Sequence, residues 1–212
     1  KKENPNTFLH SDMTQAIGKV SMNLHDVDLA SMSSHKIFGP KGIGFLYKNE
    51  KVRLEPLIHG SGKSNELRAG TPPLPLIVAF SKALRIALTA PSKREDLVRN
   101  LNEKICDNLQ KYPKIKINKT KYSIPHILNI SLMTIKPETF LHALEEYEIY
   151  VGTNTACSSG DLSSGVMALY NDQKRATTTL RISISHVTTN EEINKLNNLS
   201  ISVKNINHKS NK

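Results

Sequence analysis

Short apolar runs separated by Gly, Pro and polar turns divide the first ninety residues into predicted strands followed by a helix. Thr7–His10, Asp26–Ser31 and Gly44–Tyr47 are each typical of a short strand. Gly, Ser and Pro then predominate over 59–73, which predicts a long loop. The segment Pro75–Thr89 follows with apolar residues at a helical period, namely Ile77, Phe80, Ala83, Leu84 and Leu88.

The rest of the chain continues this alternation after a break at Ala90-Pro91-Ser92, which predicts a boundary between a domain 1–90 and a domain 91–212. Ser92 and Glu95 have the spacing of a capping box, so a helix is expected from Ser92 to about Tyr112. Strands are then predicted at 114–118, 126–133, 150–152 and 180–185, and helices at 137–147 and 189–203. Alternating strands and helices favour an α/β fold class.

Composition narrows the kind of protein. Hydrophobic residues make up 38% of the 212 residues, yet no stretch approaches the roughly 20 apolar residues of a membrane span. The net charge of +10 comes from Lys residues scattered among Asn, without a basic stripe and interleaved aromatic residues, so direct nucleic-acid binding is not favoured. Because the chain begins with polar residues and without Met, we expect it to be part of a longer protein.

The two cysteines lie in different contexts. Cys106 lies beside the apolar face of the helix predicted to begin near Ser92, which indicates a structural or idle side chain. Cys157 lies among small and polar residues over 153–161, which is typical of an exposed loop where a thiol is accessible for reaction. Two cysteines are too few for a disulfide framework, so a reducing compartment such as the cytoplasm is expected.

Five segments bring reactive or ligand-binding side chains together with turns and strand ends. The spacing of Lys36 and the upstream Asp12 fits a binding site, but it fits a surface lysine and a turn residue as well. Arg181 alternates with Ile182 on its predicted strand, which fits a surface position as well as a binding site. The segments are His10–Lys19, Ser31–Gly44, Leu67–Pro72, Ala156–Gly160, and Leu180–Ser183 followed by Thr188-Thr189.

Taken together and in this order, these five segments resemble the NifS/IscS-type cysteine desulfurases of the class V aminotransferase family, which use pyridoxal phosphate (PLP). The resemblance implies that 1–90 is the second part of a PLP fold-type-I large domain, with a mostly parallel sheet and helices. It implies that 91–212 is an α+β small domain carrying the active-site cysteine loop. One departure is Ser34, which stands where the family usually has Gly before its histidine.

The resemblance also implies a role for each residue that would hold the cofactor. Lys36 would bind the PLP aldehyde as a Schiff base, and Asp12 would pair with the protonated pyridine nitrogen. Gln15 would donate a hydrogen bond to the phenolic oxygen of PLP. The phosphate would be bound by Ser33, His35 and, from the neighbouring subunit of a homodimer, Thr71.

The remaining two residues imply the reaction. Arg181 would bind the carboxylate of L-cysteine, a task suited to its planar fork of donors. Cys157 would take sulfur from the substrate as a persulfide, releasing alanine and passing sulfur to an iron–sulfur scaffold or a tRNA-thiolation enzyme. Alternatives are a related class V aminotransferase, which needs no such thiol, a selenocysteine lyase, or a non-catalytic remnant retaining a dimer or partner surface.

Overall fold

The computed structural model describes residues 3–60, 67–153 and 162–198. The chain divides into two compact units, 1–93 and 94–212, which we call unit 1 and unit 2. Each unit contains a three-stranded sheet. Helices and strands thus occur in both, and the α/β class predicted from the sequence is confirmed.

The sheet of unit 1 has the strand order β1-β2-β3 and combines both pairing directions. β1 (His10–Asp12) runs parallel to β2 (Leu29–Ser33), and β2 runs antiparallel to β3 (Gly44–Lys48). A short 3-10 helix, Ser34–Ile37, directly follows β2, and α1 spans Leu74–Ala87. The carboxyl ends of β1 and β2 therefore share one edge of the sheet.

The core of unit 1 lies on one face of β2. Ala30 and Met32 are buried there at alternate positions, as the two-residue period of a strand requires. They pack in a cluster with Ile17, Val27, Ile37, Phe80 and Ala87. Ala83 and Leu84 of α1 pack against this cluster, whereas Leu74 and Val78 remain 64% and 60% exposed.

Unit 2 is built on an antiparallel sheet with the order β4-β5-β6. Its strands are β4 (Ile115–Asn118), β5 (Ile127–Leu132) and β6 (Thr179–Ser183). The helices are α2 (Pro91–Leu109), α3 (Pro137–Glu145), α4 (Ser164–Tyr170), α5 (Gln173–Thr177) and a last helical segment, 190–198. Fifteen buried residues in the described part of unit 2 form one core cluster, which includes Leu101, Ile105, Leu128, Ile130 and Leu180.

Most predicted elements occur, with shifted ends. β1 and β2 begin about three residues later than predicted, and Ser92 is the second residue of α2, so its assignment as a cap is wrong. The strand predicted at 150–152 is reduced to a single bridge between Gly152 and Arg181. The short helices α4 and α5 were not predicted, and the end of the helix predicted at 189–203 lies outside the described residues.

No single helix in the described part of the chain is long and apolar enough to cross a membrane. The broken pair of α1 and α2 passes that test together, by length and composition alone.

Candidate functional site

Asp12 and Lys36 lie at the same edge of the unit 1 sheet. Asp12 is the last residue of β1 and is paired in register with Ser31 of the parallel strand β2. The chain leaving β1 is tied to β2 by the Met13 amide, which donates to the Ser31 carbonyl at 2.9 Å. Lys36 is exposed in the 3-10 helix that follows β2. The parallel strands β1 and β2 thus place the carboxylate of Asp12 and the amine of Lys36 at the same edge of the sheet.

The carboxylate of Asp12 is held in its charged form by the turn after β1. The backbone amide of Thr14 donates to Asp12 Oδ1 at 2.9 Å. This bond, followed by a hydrogen bond from the Thr14 side chain, lowers the pKa of Asp12 below its ordinary value. An exposed carboxylate fixed as an anion is the partner that a protonated ring nitrogen requires.

Gln15 has a partner that the sequence did not predict. Lys19 Nζ donates to Gln15 Oε1 at 2.6 Å, one turn away along the chain. Because an ammonium group only donates, the amide oxygen of Gln15 faces Lys19 and its NH₂ group is left as a donor. Burial lowers the pKa of Lys19, and the charge of Lys36 lowers it further. In the sequence, the feature that could have indicated this contact is the position of Lys19 four residues after Gln15.

The segment around Lys36 combines accessible and buried polar groups. Ser33 precedes the 3-10 helix without forming a capping hydrogen bond through its side chain, and His35 is exposed. Ser34 is fully buried, and its Oγ has no hydrogen-bond partner among residues 3–60, 67–153 and 162–198. A Cβ at Gly39 would collide with that hydroxyl, so the close contact with Ser34 requires glycine at position 39.

Thr71 lies in an exposed turn ahead of α1. It follows Gly70, whose φ of +117° lies in a region that favours glycine. A side chain at Gly70 would meet Arg68 Nη1 at 2.8 Å. The loop predicted at 59–73 includes residues 61–66, which lie outside the described residues.

In unit 2, Arg181 is the central residue of β6 and is half-buried. It pairs with Asn129 of β5 on one side and with Gly152 on the other. The Gly152 amide donates to the Arg181 carbonyl at 3.0 Å, and the Arg181 amide donates to the Gly152 carbonyl at 2.6 Å. The guanidinium lies against Gly152, since a Cβ there would be 3.1 Å from Arg181 Nη2. Sequence reasoning did not single out Gly152.

Cys157 lies outside the described residues, but the chain on either side of it is fixed. Gly152 is bonded to β6 on the amino-terminal side. On the other side the Ser163 amide donates to the Ala176 carbonyl at 2.9 Å, and Ser163 Oγ accepts from the Val166 amide at the start of α4. Both ends of the segment 153–162 are therefore attached to unit 2.

Cys106 is a buried thiol, as the sequence predicted. Its Sγ donates to Asn102 Oδ1 at 3.3 Å, and burial raises its pKa. A thiol that is hard to ionise is a poor nucleophile. Within residues 3–60, 67–153 and 162–198, no group of three His, Cys, Asp or Glu side chains could hold a metal ion.

These features match one protein family. The chain belongs to the class V aminotransferases, because the profile described as Aminotransferase class-V matches residues 1–196. Its curated relatives include the "NifS/IcsS protein homolog" of Lactobacillus delbrueckii subsp. bulgaricus, 39% identical over 196 residues that cover 89% of this chain and 51% of the relative. The cysteine desulfurase IscS of Haemophilus influenzae is 36% identical and is matched over 91% of this chain and 49% of its own length.

Solved structures agree with this assignment. A NifS-like protein superposes with a TM-score of 0.85 at 32% identity, covering 97% of this chain and 55% of the other. A NifS-like protein from Rickettsia africae gives a TM-score of 0.79 at 25% identity, covering 93% and 54%. The resemblance to NifS/IscS-type proteins predicted from the five segments is confirmed. The chain spans about half the length of the curated relatives it matches.

Proposed function

We propose that this chain carries the cofactor lysine and the sulfur-accepting cysteine of a cysteine desulfurase. The observation that carries the proposal is the parallel pairing of β1 and β2, whose carboxyl ends bear Asp12 and lead into Lys36. Relatives named cysteine desulfurase at 36% identity support the same reaction class. The substrate is L-cysteine and the products are L-alanine and a persulfide on Cys157.

The polar groups of unit 1 have the chemistry that PLP needs. When bound, PLP supplies an electron-accepting ring that stabilises negative charge at the substrate Cα. Lys36 supplies the amine that holds the aldehyde group, and Asp12 supplies an anion whose pKa is already lowered by Thr14. The NH₂ group of Gln15 is the donor for the phenolic oxygen. The phosphate is assigned to Ser33, His35 and, from a second copy in a homodimer, Thr71.

Three further roles concern the substrate. Arg181 binds the carboxylate of L-cysteine, and Lys36 takes the proton from Cα. The thiolate of Cys157 then attacks the substrate sulfur, forming an S–S bond while the S–Cβ bond breaks. The electrons of the broken bond remain with the carbon skeleton, which takes up a proton at Cβ, regains a proton at Cα from Lys36 and leaves as alanine. Sulfur stays on Cys157 for transfer to an acceptor protein, an iron–sulfur scaffold or a tRNA-thiolation enzyme.

This chemistry requires a reduced thiol, so we assign the protein to a reducing compartment such as the cytoplasm. Because the chain spans about half of its relatives, a non-catalytic remnant is the alternative to an active enzyme. Two properties distinguish a desulfurase from a class V aminotransferase and a selenocysteine lyase: the substrate that is used, and the dependence of the reaction on Cys157.

The test starts with cofactor binding. PLP is added to the chain and to its Lys36→Ala variant, and visible absorbance reports the bond between cofactor and lysine. We expect the band only in the chain with Lys36. A band of equal strength in Lys36→Ala would refute the lysine assignment. No binding by this chain would favour the remnant only if the full-length gene product also fails to bind PLP.

Turnover is measured next, with L-cysteine and a thiol reductant, by assaying sulfide and alanine. We expect Cys157→Ser to lose sulfide release and Cys106→Ser, at a buried thiol, to retain it. Sulfide release that is equal in Cys157→Ser would contradict the persulfide step. A marked preference for L-selenocysteine would favour the lyase, and formation of a keto acid would favour the aminotransferase.

A further inference from the structure

The guanidinium of Arg181 lies flat against one glycine. A Cβ at Gly152 would stand 3.1 Å from Arg181 Nη2, 3.5 Å from Cζ and 3.6 Å from Nε. These three guanidinium atoms are the nearest heavy atoms to that position. A separation of 3.1 Å is tighter than side-chain carbons normally adopt, so any larger residue here displaces the guanidinium.

The backbone at Gly152 does not itself require glycine. The glycines with a positive φ in the described residues are Gly18, Gly42 and Gly70. Gly152 is absent from that group, and its amide and carbonyl both form ordinary cross-strand bonds with Arg181. An alanine would therefore fit the backbone and would disturb only the guanidinium packed over it.

The guanidinium is also available to bind an anion. Among residues 3–60, 67–153 and 162–198 it has no hydrogen-bond or ion-pair partner, although Arg181 is half-buried. A guanidinium carries five N–H donors in a fixed fork, which matches a carboxylate in a two-point contact. Gly152 thus fixes the position of a cation whose donors have no partner among the described residues.

We propose that Gly152 is a positioning residue for substrate binding: its missing side chain sets where the Arg181 guanidinium lies and hence where the substrate carboxylate binds. The inference rests on the proposed function, in which Arg181 receives that carboxylate. Gly152 also begins the segment that leads to Cys157, so one residue locates the carboxylate-binding cation and the start of the nucleophile's segment.

The expected kinetic effect is confined to substrate binding. Gly152→Ala shifts the guanidinium by a few tenths of an ångström. The shift weakens the two-point contact with the substrate carboxylate, which is not a reacting group, so the loss is equal in the ground state and the transition state. We therefore expect the KM for L-cysteine to rise on the order of 3- to 10-fold while kcat stays within about 2-fold. Gly165→Ala is the matched control, because a Cβ at Gly165 in α4 meets nothing within 4 Å.

The experiment combines kinetics with a spectroscopic measurement that needs no turnover. The PLP-loaded chain, Gly152→Ala, Gly165→Ala and Arg181→Lys are compared for KM and kcat. In parallel, the ¹H–¹⁵N resonance of Arg181 Nε, assigned by its loss in Arg181→Lys, is recorded without PLP. We expect it to move in Gly152→Ala and to stay in Gly165→Ala, with unfolding midpoints close to that of the unaltered chain.

The outcomes separate this inference from the function on which it rests. A raised KM in Arg181→Lys together with an unchanged KM in Gly152→Ala overturns the inference alone. An Nε resonance that does not move in Gly152→Ala also overturns it. If the unaltered chain releases no sulfide, or Arg181→Lys leaves KM unchanged, the proposed function fails and the inference fails with it.

Discussion

Ser34 places a hydroxyl in the interior of unit 1, two residues before the candidate cofactor lysine. The residue is fully buried, and its Oγ has no hydrogen-bond partner in the part of the chain that the structure describes. A buried hydroxyl without a partner loses its hydration and gains nothing in return. The 3-10 helix that carries Lys36 therefore contains a local source of instability.

We predict that Ser34→Ala raises the free energy of unfolding by about 1 kcal/mol, because it removes the unsatisfied hydroxyl. Urea unfolding of the chain followed by circular dichroism measures the change. Ser81→Ala, at an exposed position of α1, is the control and is expected to change stability by less than about 0.5 kcal/mol. A loss of stability in Ser34→Ala would mean that the hydroxyl forms a stabilising bond.

The charge on Asp12 gives a second prediction at this scale. The Thr14 amide and hydroxyl stabilise the carboxylate, so Asp12 is protonated only at a pH below its ordinary pKa. Thr14→Val removes the hydroxyl bond and keeps the amide bond, so the pKa of Asp12 rises part of the way back. A ¹³C titration of the Asp12 carboxyl measures this, with the exposed Thr7→Val as a control that leaves it unchanged. A pKa of Asp12 that does not rise in Thr14→Val would contradict the assignment of the bond.

The sequence predicted burial along a helix better than it predicted which side chains meet. Cys106 was correctly expected to be structural, because an apolar period along a helix reports burial directly. Lys19 and Gly152 were missed, because a contact with Gln15 or Arg181 depends on a turn or a bridge that has no period of its own. The roles assigned to Lys36 and its neighbours remain predictions.

One arginine fixes the short helices α4 and α5, which follow the segment containing Cys157, to the sheet of unit 2. Arg175 in α5 donates from Nε to Asn118 Oδ1 at 2.6 Å and from Nη2 to the Ile117 carbonyl at 2.8 Å, both on β4. Its guanidinium also stacks over the ring of Tyr170 in α4, 3.4 Å from the centroid. Both α4 and α5 are thus fixed to β4 by the same side chain.

We predict that Arg175→Met lowers the free energy of unfolding by about 2–3 kcal/mol, because two hydrogen bonds to a charged group are lost and Asn118 is left partly unpaired. Urea unfolding of the chain measures the loss. Arg99→Met is the matched control: Arg99 is exposed and pairs only with Glu95 on its own helix, so about 0.5 kcal/mol or less is expected. Equal losses in the two variants would show that the bonds of Arg175 do not stabilise unit 2.

Element length explains which helices the sequence predicted. α1 and α3 contain enough turns for an apolar period and were predicted within a few residues of their ends. α4 and α5 have 7 and 5 residues, too few for a period, and their caps Ser163 and Asp172 were the remaining signals. Strand pairing direction is a tertiary property, so the antiparallel pairing of β2 with β3 was not predictable.

The two units differ in how completely each buries its apolar residues. In the described residues the core cluster of unit 2 has fifteen members and that of unit 1 has seven. Several apolar side chains of α1 are exposed, and a small unit with a small core is marginally stable. This difference supports our proposal of a large-domain part, 1–90, and a separate small domain, 91–212.

We predict that residues 94–212 expressed alone unfold in a single cooperative urea transition, whereas residues 1–93 alone do not. The physical reason is the larger continuous core of unit 2. For 94–212, circular dichroism and tyrosine fluorescence should report coincident transitions; the chain contains no tryptophan that would obscure the tyrosine signal. A non-cooperative transition in 94–212, beside a cooperative one in the whole chain, would show that unit 2 depends on unit 1.

The chain around Cys157 is attached to unit 2 at Gly152 and Ser163, and these two attachments limit the positions that Cys157 can reach in the proposed reaction. Cys157 is five residues from Gly152 and six from Ser163. A fully extended chain spans at most about 3.5 Å per residue, so the Cα of Cys157 stays within roughly 18 Å of Gly152 and roughly 21 Å of Ser163. In the proposed reaction, an acceptor protein has to bring its reactive atom to within a side chain's reach of this volume, and therefore has to dock near those two residues.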